Sequence, residues 1–262
     1  MPLVPETYRC AVALALNWEG EGLAQSAYLA QVAAVAEADS ARLQLFVPGS
    51  GLQARADVLA SLVAKGHVVD LLLPEAAEGS GLADALAAAC EQYRMCLGRE
   101  ASGLRLAAMR RNGLHSSPGA CEIVAAAKFG FVSSDYSTKN PDDPRSVGFT
   151  DKNAAMLMKH QQPRKYPCGV WEIPSPGYSD RAFFEVQGRG LDEWIAHLQQ
   201  CVDFAHDMGG LIYAPLLHLD TLAAHDPEAR SVHELLEHAG AKKWGDVAVA
   251  TYRDVLGWAE TT

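Results

Sequence analysis

Positive charge is scarce in this chain. Its 262 residues carry 22 Lys and Arg against 32 Asp and Glu, a formal net charge of -10. A nucleic-acid binder needs a basic field, and so does a protein that docks on an anionic membrane, so neither partner is expected. Long apolar runs are also missing. Cys10–Leu16 is too short to span a bilayer and is followed by Asn17, Trp18 and Glu19. No basic stretch leads into an apolar run at the start, so no targeting segment is read there and a cytoplasmic location is expected. The six cysteines (Cys10, Cys90, Cys96, Cys121, Cys168, Cys201) are scattered without a paired C-x-x-C. That excludes a zinc knuckle or a dithiol motif and predicts reduced, mostly buried thiols. No Gly-x-Gly-x-x-Gly follows the first apolar run. Gly20-Glu21-Gly22 has the wrong spacing and sets an acid where a phosphate would sit, so neither a nucleotide nor another cofactor is expected.

What is present is a regular alternation. Apolar residues make up 49% and charged residues 21%, which suits a folded globular chain. Short apolar runs at Cys10–Trp18, Arg42–Val47, His67–Leu73, Leu104–Met109, Phe131–Ser133, Val170–Ile173, Leu211–Leu219 and Val247–Thr251 read as strands. Helical patterns lie between them at Ser26–Asp39, Leu52–Lys65, Leu82–Leu97, Pro118–Lys128, Leu191–Met208, Glu228–Ala239 and Arg253–Glu260. Seven or eight β–α units in one chain of this length predict a single α/β domain over residues 1–262. Its architecture would be an irregular (β/α) barrel of about seven or eight parallel strands. An open doubly wound sheet is the alternative. The stretch Ser137–Pro167 breaks the rhythm. It is long, polar and punctuated by proline, and reads as an insertion over the barrel mouth with a short helix at Asn153–His160.

A parallel barrel carries its site at the carboxyl ends of the strands. The polar residues there are Asn17, Trp18, Glu19 and Glu21 after the first strand, and Asp70 in the third. Arg110, Arg111, Asn112 and His115 follow the fourth, and Ser134, Asp135 and Tyr136 the fifth. Trp171 and Glu172 lie in the sixth, and His218 and Asp220 end the seventh. Carboxylates, arginines and a histidine are the set that acid–base hydrolysis uses. Burial against Trp18 would raise the Glu19 pKa into a useful range. Asp70, if it faces the barrel interior, needs a partner, and Arg110 or Arg111 could supply it.

The order of these motifs resembles the polysaccharide deacetylases of carbohydrate esterase family 4 over nearly the whole chain. Arg42-Leu-Gln-Leu-Phe-Val-Pro-Gly49 is similar to the family's second strand, and Leu59-Ala-Ser-Leu-Val-Ala-Lys-Gly-His67 to the helix and Gly-His that follow. Met109-Arg110 through Ser117-Pro118, then Gly130-Phe131 with Asp135, resemble the arginine motif and its helix. Trp171-Glu-Ile-Pro-Ser175 and Leu217-His218 resemble two later motifs. The resemblance implies an irregular (β/α) barrel. It also implies a metal site, for which this chain lacks the ligands. Trp18 and Glu19 stand where the family has two aspartates. Asp70-Leu-Leu-Leu-Pro-Glu-Ala76 stands where it has two zinc histidines. Leu16-Asn-Trp-Glu-Gly-Glu-Gly22 is closer to the Leu-Asn-Tyr-Glu-Glu-Gly-Gly of a metal-independent, allantoinase-like branch that hydrolyses cyclic amides.

The expectation is a metal-free hydrolase of a non-peptide C–N bond in an N-acyl sugar, amide or cyclic amide. Glu19 would activate water, Arg110 would hold the carbonyl oxygen, and His218 would protonate the leaving nitrogen. Asn17, Trp18, Glu21, Asp70, Arg111, Trp171 and Glu172 would line the substrate. The alternatives are a non-catalytic protein of the same fold that binds a carbohydrate or metabolite, and an enzyme recruited to another reaction. The insertion and exposed aromatics could serve a homo-oligomer.

Overall fold

A computed structural model describes residues 3–19, 23–73, 80–110, 114, 118–135, 158–159, 161–240 and 244–261, without the side chains of 23–24, 80, 107–110 and 118. Eleven strands are found among them: β1 Cys10–Ala13, β2 Ala15–Asn17, β3 Gln44–Pro48, β4 Val68–Leu73, β5 Gly103–Arg110, β6 Phe131–Asp135, β7 Arg164–Lys165, β8 Trp171–Glu172, β9 Ile212–Tyr213, β10 Leu216–His218 and β11 Val247–Ala250. The first expected strand is present as β1 and β2, interrupted at Leu14. The seventh is present as β9 and β10, interrupted at Ala214-Pro215, where proline has no N–H for the ladder. Helices follow the strands as expected, including Ala56–Ala64, Pro118–Ala126, Leu191–Met208, Arg230–Ala239 and Tyr252–Thr261.

The strands form a curled, mainly parallel sheet in the order β10-β2-β3-β4-β5-β6-β8-β7, beside a smaller sheet β11-β1-β9. A parallel bridge from Ser179 to Leu216 brings the chain after β8 against β10, so the large sheet curls toward closure. This is the expected (β/α) barrel-like fold, not the open doubly wound sheet. Period-2 alternation sorts the side chains. Ala11, Ala13, Ala15, Phe46, Leu72 and Phe131 gather on the inside with Tyr252 and Val255 from the last helix. Val12, Leu14, Leu16, Leu45, Val47 and Leu71 face outward into the layer beneath the helices. Gly103 opens β5 against the Phe131 ring, and a Cβ there would overlap the ring.

Two expectations are corrected. Part of the stretch read as an insertion is sheet: β7 runs antiparallel to β8, with Arg164 opposite Glu172 and Lys165 opposite Trp171. The predicted helix at 153–160 lies mostly outside the described residues. The cysteines are not all free either. Cys121, in the helix after β5, is bonded to Cys168 in the β7–β8 turn. These positions are 47 residues apart and meet only when the helix packs beside the hairpin. Cys10, Cys90, Cys96 and Cys201 are not in disulfides. Among the described residues, no helix is long and apolar enough to cross a membrane.

Candidate active site

β10 lies beside β2 in parallel, with His218 opposite Asn17. Glu19, two residues beyond Asn17, therefore comes to the histidine ring. Its Oε1 is 3.9 Å from His218 Nε2, and Asn17 Nδ2 donates to the same oxygen at 3.4 Å. Asp180 sits behind the ring and is fully buried. It accepts from His218 Nδ1 at 2.6 Å, from the His218 backbone N–H at 2.6 Å and from the Arg181 N–H at 2.8 Å. A carboxylate can only accept, so Nδ1 carries its hydrogen and Nε2 is the ring atom presented to Glu19.

Arg181 holds the other side of Glu19. Its Nη1 donates to Oε2 at 2.8 Å, and its Nη2 donates to both oxygens of Asp220 at 2.9 and 2.8 Å. Its Nε donates to Thr221 Oγ1 at 3.3 Å, and that hydroxyl donates to Glu185 at 3.0 Å. Burial works against the charge, but Glu19 and Asp220 outweigh it and hold the guanidinium above its ordinary range. The result is two proton-handling groups within reach of one small molecule, one clamped by an arginine and the other aligned by a buried carboxylate. Asp180 and Arg181 were not among the expected residues. The available signal was an adjacent Asp-Arg pair after the sixth strand, in a stretch without periodicity.

The other expected residues divide. Glu19, His218 and Asn17 come together. Arg110 ends β5 with its backbone opposite Asp135, and its side chain is outside the described residues, as are Glu21 and Arg111. Four residues expected to line the substrate are placed elsewhere. Trp18 is 1% exposed in the outward apolar layer, with the Arg55 guanidinium 4.5 Å over its ring. Trp171 packs with Leu3, Leu256 and Trp258 against the floor of the barrel, because its position in β8 points it inward and down.

Asp70 does face inward, but at the amino-terminal end of β5. It accepts from Ser102 N–H at 2.8 Å, Gly103 N–H at 3.0 Å and Gln44 Nε2 at 3.0 Å, and among the described residues its ion partner is Arg253 at 3.3 Å. Glu172 is fully buried on the outward side of β8. It is saturated by Ser134 N–H, Asp135 N–H, Ser134 Oγ and Tyr166 Oη at 2.6–3.1 Å.

The zinc that the resemblance brings to mind does not fit these residues. One oxygen of Glu19 already accepts from a guanidinium, and Leu71, Leu72 and Leu73, which stand where the resemblance implies histidine ligands, are buried and offer no donor atom. Among the described residues, no group of three or more His, Cys, Asp or Glu is placed to hold a metal ion.

No protein-family model matches the chain, and no curated protein matches it. Solved structures do. A probable polysaccharide deacetylase from Pseudomonas aeruginosa PAO1 superposes with a TM-score of 0.75 at 14% identity, over 99% of this chain and 94% of that one. The PuuE allantoinase gives 0.74 at 15% identity, over 100% and 93%. A putative polysaccharide deacetylase from Mycobacterium smegmatis gives 0.71 at 14%, over 98% and 92%. The chain therefore has the fold shared by these deacetylases and the allantoinase, in a divergent sequence.

Proposed function

We propose that the chain is a hydrolase of a non-peptide C–N bond in a small amide, cyclic amide or N-acyl sugar. The observation that carries this reading is the 3.9 Å gap between Glu19 Oε1 and His218 Nε2, with Asp180 holding the far side of the ring. A base and an acid this close can serve the attacking water and the leaving group of one substrate. Glu19 takes a proton from water as its oxygen bonds to the carbonyl carbon. His218 enters the reaction as the doubly protonated imidazolium, keeps its Nδ1 hydrogen on Asp180, and gives its Nε2 proton to the nitrogen as the C–N bond breaks. The proton on Glu19 then returns to the ring across the gap. Asp180 stays an acceptor throughout and keeps Nε2 pointed at the substrate. Arg110 holds the carbonyl oxygen, where a guanidinium stabilises developing negative charge. Asn17, Glu21 and Arg111 border the substrate. The neighbours named as deacetylases and as an allantoinase support the reaction class.

One observation favours a second reading, a binding protein of the same fold. Both oxygens of Glu19 are already engaged, Oε2 by the Arg181 guanidinium and Oε1 by the Asn17 amide. A panel of N-acetylated sugars, cyclic imides and ureides, followed by mass spectrometry, separates the two. The hydrolase reading expects turnover by the wild type and a loss of about 10²–10⁴-fold in Glu19→Gln and in His218→Gln. A Glu19→Gln protein working at the wild-type rate removes that residue from the mechanism. Saturable binding without turnover establishes the second reading instead.

A further inference from the structure

Arg105 lies inside the barrel with no exposed surface. Its guanidinium stacks 4.3 Å over the Phe46 ring and 5.2 Å over Tyr252. It donates to Asn17 Oδ1 at 3.0 Å, to Ser175 Oγ at 3.3 Å and to the Tyr252 hydroxyl. These partners are an amide and two hydroxyls. Among the described residues no carboxylate pairs with it, and its Nε has no partner. The nearby buried carboxylate, Asp70, takes Arg253 instead. Burying a cation without a counter-charge among the described residues is costly, so a role beyond packing is sought for it.

The partner that gives Arg105 a use is Asn17. A guanidinium only donates, so the Asn17 side chain must turn its oxygen inward. Its Nδ2 is thereby forced outward, onto Glu19 Oε1, the oxygen that faces His218. We propose that Arg105 is the positioning residue of the candidate site, setting the Asn17 amide so that Glu19 is held in register with His218. The proposal rests on the hydrolase reading for its catalytic consequence, but the geometry it predicts does not. Arg181 fixes one oxygen of Glu19 from the mouth; Arg105 fixes the other from below, through one amide. A neutral residue at 105 would let that amide rotate and free Oε1.

Crystal structures and kinetics of Arg105→Met and Arg105→Lys test this. In the Met variant the Glu19 carboxylate should move by about 1 Å away from His218, a misplacement of the order that costs 10²-fold in rate. The expected kinetics are kcat down about 10²-fold with KM nearly unchanged. Melting temperature serves only to show that the variant folds, because methionine removes a buried charge and three hydrogen bonds together. Lysine at 105 should restore part of kcat. If the Met variant does not fold, Asn17→Ala breaks the same link from the other end and is read by the Glu19 position alone, because Asn17 also borders the substrate. Glu19 unmoved in the folded variant overturns the proposal, and so does an unchanged kcat. If the wild type turns over nothing, the hydrolase reading fails by itself, and the Glu19 position in the variants still decides the role of Arg105.

Discussion

Glu172 accepts four hydrogen bonds from β6 and from Tyr166, and it has no exposed surface. Burial pushes its carboxyl above the usual glutamate range, against the pull of those donors. An acid whose folded pKa is raised contributes stability that is complete below the unfolded pKa and is lost as pH rises through the folded pKa. Glutamine at 172 keeps the shape but turns an NH2 onto a donor, which should cost about 1–3 kcal/mol. Glutamine does not titrate, so the wild-type advantage should widen as pH falls from 7 toward the ordinary glutamate value of about 4.3. Urea denaturation across that range measures the difference, and a flat or narrowing gap would contradict the assignment. The residue was visible in the sequence, but its side of the sheet was not, because a two-residue strand offers no alternation to read. Glu19 and His218 were legible because both stand at strand ends. Asp180 and Arg181 were not. Their contacts span 38 and 162 residues and exist only once the chain after β8 has curled back to β10.

Strands and helices were legible wherever an apolar run met a helical pattern, as at His67–Leu73 after the helix that Gly66 ends with a φ of +93°. Short polar elements were not. β7 holds only Arg164 and Lys165, and pairing with β8 makes it a strand rather than any property of its own. That hairpin carries two ties to β6, Arg164 to Asp135 and Glu172 to the Ser134 and Asp135 N–H groups. The Cys121–Cys168 bond adds a third, to the neighbouring helix. Closing a loop of this length stabilises by about 2–4 kcal/mol. Cys168→Ser should therefore be less stable than the wild type by that amount, and melt lower, under oxidising conditions. Reductant should bring the wild type down to the variant and leave the variant where it was. Such bonds persist in oxidising compartments, so the same experiment bears on the expected cytoplasmic location. Six alkylatable thiols in the unreduced, denatured wild type would show that the bond does not form.

The whole barrel is organised along its axis. Glu19, His218 and Arg181 stand at the carboxyl ends of the strands, Arg105 crosses the middle, and the last helix closes the floor with Tyr252, Arg253 and Val255. Closing the floor buries Asp70, whose carboxyl burial pushes above the usual aspartate range, with Arg253 foremost among the groups that oppose the rise. Arg253 reaches it from the last helix, so one ion pair ties residue 70 to the end of the chain. Arg253→Met would leave that carboxylate buried with hydrogen bonds but no counter-charge. Breaking a buried pair costs roughly 3–5 kcal/mol. Arg253 keeps 30% of its side chain in solvent, so screening should reduce the loss to about 1–3 kcal/mol. Adding Asp70→Asn removes the stranded charge, and the double variant should recover part of the loss. Urea midpoints of the four proteins measure it. Equal midpoints for wild type and Arg253→Met would mean that apolar packing of the last helix, and not the ion pair, holds the floor shut.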